Sequence, residues 1–374
     1  MMIVDAHQDL AWNMLTFGRD YTRAAAETRR LEAESPAPQF NGDTLLGWPD
    51  YQRGRVALIF GTLFSSPIRF RKGEWDRMCY ADVGEAHHLY SAQLDAYERL
   101  VTDHPEKFLL VRTKHDLQSL LSDWQNAAAA SGEKPESQED MSTNPAVGLV
   151  VSMEGAEAVR DPSELEAWWE RGVRIIGPAW AGTRFCGGTR EPGPMTNEGF
   201  ALLEAMADIG FGLDLSHMDE RAALQALDAY PGHVLASHSN ALALLKGSDS
   251  NRHLTDRMIQ GLVDRNGVIG VMPYNVFLKE GWKRGDSRHA VTLHHLAAHI
   301  DHICQQAGDA RHVGIGSDFD GGFGVQSVPA EIDTIADLQK LSPLLAERGY
   351  SQTEQADILA NNWLGCLQKI LPVK

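Results

Sequence analysis

Short runs that are apolar on both faces recur along the chain, each followed by a stretch of helical periodicity. Eight stand out: MIVDAH (2–7), RVALIFGTLF (55–64), VGLVVSMEG (147–155), GVRIIGPAW (172–180), FGLDLSH (211–217), HVLASH (233–238), GVIGVMPYN (267–275) and HVGIGSDFDG (312–321). Strands buried on both faces read as continuous apolar runs, and eight of them alternating with helices predict a (β/α)8 TIM-type barrel of the α/β class. The run FLLVRT (108–113) is expected as an extra strand or a connecting segment. NAAAASGEKPESQEDMSTNP (126–145), rich in small and charged residues, predicts a mobile surface insertion. Two closing C-terminal helices are expected at about 330–348 and 352–370.

Polar residues gather at the C-terminal ends of these runs: His7 and Asp9, Glu154, His217, His238 and Asp318. In a barrel of this kind the active site lies at that end. In VDAHQDLAWN (4–13), Asp5, His7 and Asp9 hold alternate positions and share one face of the first strand. An imidazole held beside carboxylates suits a borderline divalent ion such as zinc. LDLSH and VLASH each end on a histidine that strand periodicity carries from the core to the barrel mouth. Glu154, closing VVSME, is a costly charge inside a barrel unless it meets a cation or a metal. A carboxylate between two sets of ligands can bridge two ions.

HHLAAHIDH (294–302) spaces His295, His299 and His302 as a zinc helix would, but no Glu follows the first histidine as a metalloprotease helix requires. These residues are expected to be structural, as are His87 and His88.

Composition narrows the choice. With 374 residues, 43% of them hydrophobic, the chain can bury a large core, and 1–374 is expected to form a single barrel domain. A formal net charge of −17 argues against a nucleic-acid partner, since phosphate binding relies on clustered Lys and Arg. The four cysteines, Cys79, Cys186, Cys304 and Cys366, are scattered without a Cys-x-x-Cys pair, which suits a reduced compartment. The N-terminus runs straight into the first strand with no leader-like segment, and no apolar stretch approaches the roughly 20 residues that span a bilayer. A cytoplasmic protein without a membrane partner is the expectation.

With DAHQD, SMEGAEAV, DLSH, SHSNA and GIGSDFDG in this order, the chain resembles the membrane (renal) dipeptidase family of the amidohydrolase superfamily over essentially its whole length. The resemblance implies a binuclear zinc site in which His7 and Asp9 hold one ion, His217 and His238 the other, and Glu154 bridges both. It also implies a homodimer, and an arginine about a dozen residues beyond the sixth-strand histidine that grips the substrate's C-terminal carboxylate. Arg252, in SNRHLTD, stands there, and a planar guanidinium can bind a carboxylate in bidentate fashion. One departure stands out. Family members commonly end the fourth strand in Thr-His-Asn, whose histidine binds or polarises substrate; here GVRIIGPAWAG places Trp180 at that position. Tryptophan can stack and donate one hydrogen bond, but it cannot carry a positive charge.

The sequence therefore predicts a zinc-dependent dipeptidase-type hydrolase acting on a dipeptide or similar small substrate through a metal-activated water. Asp318 is the expected proton acceptor, and Arg252 and Trp180 are the expected substrate contacts. Two alternatives follow from Trp180. One is a hydrolase of another amide, an N-acyl amino acid or a lactone; the other is a catalytically impaired metal-binding homologue.

Overall fold

Eight parallel strands wind once around a common axis in a computed structural model that describes residues 1–131 and 144–373. In chain order they are β1 (Ile3–Gln8), β2 (Val56–Phe64), β3 (Val147–Glu154), β4 (Val173–Gly177), β5 (Gly212–Asp214), β6 (Val234–Leu235), β7 (Ile269–Val271) and β8 (Val313–Ile315). Each falls within one of the eight predicted runs except that β1 extends one residue further, to Gln8. They are buried on both faces almost throughout, which is why the sequence shows continuous apolar runs rather than alternation.

Sequence neighbours pair from β1 to β6, β7 pairs β8, and β8 returns to β1 through Asp5 opposite Ile315. The barrel closes at a single parallel bridge, Ala236 to Ile269, where Ala236 N–H donates to Val268 O at 2.9 Å and Gly270 N–H to Ala236 O at 2.8 Å. Closure there needs small residues. A Cβ on Gly270 would lie 1.9 Å from the Ser237 carbonyl oxygen, and one on Gly316 only 1.7 Å from it. These glycines let β7 and β8 approach the end of β6, where His238 begins the next loop.

Helices follow each strand and shield the outer face, started by side chains that accept the free first-turn N–H groups. Asp82 starts Val83–Asp103, Thr196 starts Asn197–Ile209, Asp219 starts Glu220–Ala229 and Thr255 starts Asp256–Asp264. FLLVRT supplies a ninth strand, Phe108–Leu110, which pairs Val147 to Leu149 on the edge of β3 that β4 takes over from Val151. The segment 126–145 divides differently from the expectation. Residues 126–131 extend the helix Lys114–Ser131, because the alanine run there is a strong helix former, whereas 132–143 lie outside the described residues. After β8 the chain closes through Ile335–Lys340 and Leu341–Glu347, then Gln352–Ala356 and Asn362–Ile370. No helix among the described residues is long and apolar enough to cross a membrane.

Candidate active site

Each polar group at the barrel mouth is delivered by the end of a strand. His7 lies near the end of β1, and Asp9 opens the helix Leu10–Phe17. Glu154 ends β3, and its carbonyl accepts from the Tyr90 hydroxyl at 2.6 Å. Asp214 ends β5 and accepts from the backbone N–H groups of Ser216 and Ser237, both at 2.9 Å, which ties β5 to the end of β6. His217 (φ 67°) and Asp318 (φ 55°) take left-handed backbone that disfavours non-glycine residues. Such conformations persist where the surroundings over-determine them, as they do at functional sites.

The side chains converge on Glu154. His217 Nε2 lies 2.8 Å from Glu154 Oε1 and 3.0 Å from His238 Nε2, and His238 Nε2 is 3.4 Å from the same oxygen. On the other side, His7 Nε2 is 3.7 Å from Glu154 Oε2, 3.9 Å from Asp9 Oδ2 and 3.9 Å from Asp318 Oδ1. Glu154 thus stands between the pair His217 and His238 and the group His7, Asp9 and Asp318. Asp5 does not join them. It shares a strand face with His7, yet its carboxylate accepts from Ser317 N–H at 2.6 Å and Gln8 Nε2 at 2.5 Å, fastening β8 to β1.

Hydrogen bonds behind the rings set which nitrogen faces the cluster. The Ser237 hydroxyl donates to Asp214, so its oxygen accepts from Nδ1–H of His238 at 2.8 Å. Nδ1 of His7 lies 3.3 Å from that same oxygen. Thr189 Oγ1 is 3.0 Å from Nδ1 of His217. With Nδ1 of His217 and His238 occupied in this way, their Nε2 atoms face Glu154, the orientation a metal ligand needs.

Burial holds His217 at a pKa of about 4 and His238 well below its ordinary value, so both rings are neutral and able to donate a lone pair. Burial also pulls His7 down, but Glu154, Asp9 and Asp318 outweigh it and push the ring up to about 9. Asp9 and Asp318 are raised by burial, whereas Glu154 is held well below its usual range because the three histidines outweigh its desolvation. Two buried carboxylates, Asp9 and Glu154, and the half-buried Asp318 share one positive ring, an arrangement short of cationic charge. Asp9 Oδ1 and Glu154 Oε1 are buried without a hydrogen bond. Nitrogen and oxygen donors in this number, with two orphaned carboxylate oxygens among them, fit divalent metal.

A cavity of about 290 Å³ opens over this cluster. Asp9, Glu154, His217 and Asp318 form part of its lining, with Trp180 and Arg252 on its walls. Arg252 is buried, with Nη2 donating to His238 O at 2.6 Å and Nη1 to Ser239 Oγ at 3.0 Å, while Nε has no partner. Trp180 packs 5.2 Å from the Phe64 ring and 6.2 Å from the His217 ring and lines the cavity.

Sequence reasoning missed Asp214, Ser237 and Asp320. The first two sit inside the quoted DLSH and SHSNA, three residues before His217 and one before His238, where an acid and a hydroxyl interrupting apolar runs were the available signal. Asp320 is fully buried in GSDFDG and accepts from Arg19 Nη1 and the Tyr21 hydroxyl at 2.9 Å each, and from Leu45 N–H at 3.0 Å. Its partners are far away in the sequence. The helical histidines separate as expected of structural residues: His299 accepts from Ala241 N–H, His295 caps its own helix and His302 pairs with Asp256. His87 packs against Trp168.

The family model described as membrane dipeptidase, peptidase family M19, matches residues 1–374. The chain belongs to this family. Metal-dependent dipeptide hydrolysis is the function that membership carries, and the (β/α)8 barrel is shared with solved relatives. A metallo peptidase from Rhodobacter sphaeroides, solved with a phosphinate mimic of the dipeptide L-Ala-D-Ala, superposes with a TM-score of 0.75 at 23% identity, covering 99% of both chains. An uncharacterized protein in the pqqA 5′ region of Klebsiella pneumoniae is 32% identical over 234 residues, 60% of this chain and 82% of that protein. An uncharacterized dipeptidase of Schizosaccharomyces pombe is 30% identical over 224 residues, 58% of this chain and 52% of its own length. This M19 chain thus spans about half of the yeast relative.

Proposed function

We propose that residues 1–374 act as one hydrolase domain whose barrel mouth holds two zinc ions. His7 and Asp9 would bind one, His217 and His238 the other, and Glu154 would bridge them. The convergence of these five side chains, with unpartnered oxygens on Asp9 and Glu154, carries the reading. Zinc, when bound, supplies Lewis acidity toward the scissile carbonyl and toward water.

The chain's own groups do the rest. Asp318 takes a proton from the attacking water and returns it to the leaving amine. Arg252, anchored through two nitrogens by His238 and Ser239 and lining the cavity, supplies the positive charge for the substrate's C-terminal carboxylate. Trp180 forms an aromatic wall beside His217, at the position where the family resemblance implies a histidine. The phosphinate dipeptide mimic bound by the Rhodobacter sphaeroides relative supports a dipeptide across this mouth. A cytoplasmic homodimer completes the reading, and four unpaired cysteines support the reduced compartment.

Zinc-loaded protein is expected to bind about two equivalents of metal per chain and to hydrolyse L-L or L-D dipeptides. Chelation should abolish that activity. The same screen includes N-acyl amino acids and lactones, which Trp180 brings into question, and Trp180→His should shift turnover toward dipeptides. If zinc-loaded protein cleaves no dipeptide, the reading fails.

Ser237→Ala tests the orientation of the rings. Losing the oxygen that accepts from His238 Nδ1 should weaken zinc binding by about 10- to 100-fold, read by competition with a chromophoric chelator. Unchanged affinity would show that the Asp214–Ser237 pair does not orient the ligands.

A further inference from the structure

Acidic residues outnumber basic ones by 51 to 34 in this chain, yet four cations, Lys72, Arg190, Arg252 and Arg284, line the cavity over the cluster. Among the described residues, none of the four forms an ion pair. By contrast Arg69, at the rim of the same barrel end, holds Glu191, and Arg19 holds Glu32 and Asp320. Unpaired cations gathered in one concave place, in an acidic chain, mark a site for an anion.

Two of the four converge. Arg284 donates from Nε to the Tyr274 hydroxyl at 3.0 Å and from Nη2 to the Gly322 carbonyl, which fixes the guanidinium beside that glycine. A Cβ on Gly322 would lie 3.6 Å from Lys72 Nζ and 3.9 Å from Asn41 Oδ1, so the ammonium also borders that glycine. Burial first, and Arg284 among the neighbouring charges, lower the Lys72 pKa from its ordinary value. Glycine here leaves the room a side chain would close.

Gly322 follows Gly321, whose own position abuts Asp318, so this pair flanks the proposed base. Arg252 approaches from the loop after β6, where it is bonded to Ser239 and His238. One carboxylate on Arg252 therefore leaves the Lys72–Arg284 pair unanswered.

We infer that Lys72 and Arg284 form a second anion subsite that receives the side-chain carboxylate of an acidic residue, making acidic dipeptides the substrate class of this M19 enzyme. The inference rests on the dipeptidase reading above for its substrate, and on the unpaired cations for its charge. The Tyr274 hydroxyl orients the guanidinium, and Arg284 and Lys72 supply donors to the incoming oxygens.

The experiment compares kcat/KM for Ala-Ala, Ala-Asp, Asp-Ala and Ala-Lys on the zinc-loaded protein at low and high salt. At least one acidic dipeptide should be favoured over Ala-Ala by about tenfold, mainly through KM, with the preference shrinking as salt rises. In Lys72→Met/Arg284→Met the preference should fall to about one. A second arm measures binding of glutarate against butyrate by thermal shift of the same proteins, and glutarate should bind more tightly only where both cations are present. If Ala-Ala is cleaved and neither acidic dipeptide is preferred, the subsite is overturned and the dipeptidase reading stands. If no dipeptide is cleaved, the dipeptidase reading fails, and glutarate binding decides the subsite by itself.

Discussion

Asp318→Asn is expected to lower dipeptide turnover by about 10²- to 10⁴-fold while zinc content stays the same. The half-buried carboxyl sits among Asp9, Glu154 and His7, and desolvation raises its pKa above the usual carboxylate range. A carboxylate whose proton affinity is raised in this way is a better base at neutral pH than one in solvent. The backbone holds it in place: Asp318 adopts φ 55° and its N–H donates to His7 O at 3.0 Å, so the asparagine side chain should occupy the same position. Asparagine matches the shape but cannot accept the proton. Metal analysis beside kinetics separates the two roles the geometry permits, because Asp318 Oδ1 lies 3.9 Å from His7 Nε2, within reach of a shared ion. Loss of zinc together with activity would make Asp318 a ligand, and unchanged turnover would remove it from the chemistry.

Asp320→Ala should instead destabilise the fold, by about 3–5 kcal/mol in denaturant unfolding. The carboxylate is fully buried and serves Arg19, Tyr21, Thr44 and the backbone of Leu45, while its own carbonyl accepts from Asn13 and Asn41. Removing it leaves the Arg19 guanidinium buried with Glu32 as its remaining acid. Asp318 sits two residues earlier on the same turn, so the loss should also displace the proposed base. The contrast is informative: Asp318→Asn should change turnover with little effect on unfolding, and Asp320→Ala should change both. A loss below 1 kcal/mol for Asp320→Ala would contradict the clamp assigned to it.

Much of this was legible in the chain itself. Parallel strands covered by helices must be apolar on both faces, so β1 to β8 announced themselves as runs, and the residues ending those runs had to lie at one mouth. His7, Asp9, Glu154, His217, His238 and Asp318 were found in this way. Period-two geometry also placed Asp5 beside His7, correctly as to face. It could not say that Ser317, 312 residues away, takes that carboxylate.

The order and type of elements, and the gathering of the proposed donors at one end of the barrel, were determined by local sequence, because strand period and burial act over a few residues. Which donors stay free, which are consumed by Ser317 or Arg19, and which cations remain unpaired over Gly322 were decided only by tertiary structure. A hydrogen bond or an ion pair depends on distance in space, and here the partners come from β1, β6, β8 and loops hundreds of residues apart. Asp318 and Asp320 share a turn and a residue type; only the packing around them sends one to the cavity and the other to Arg19.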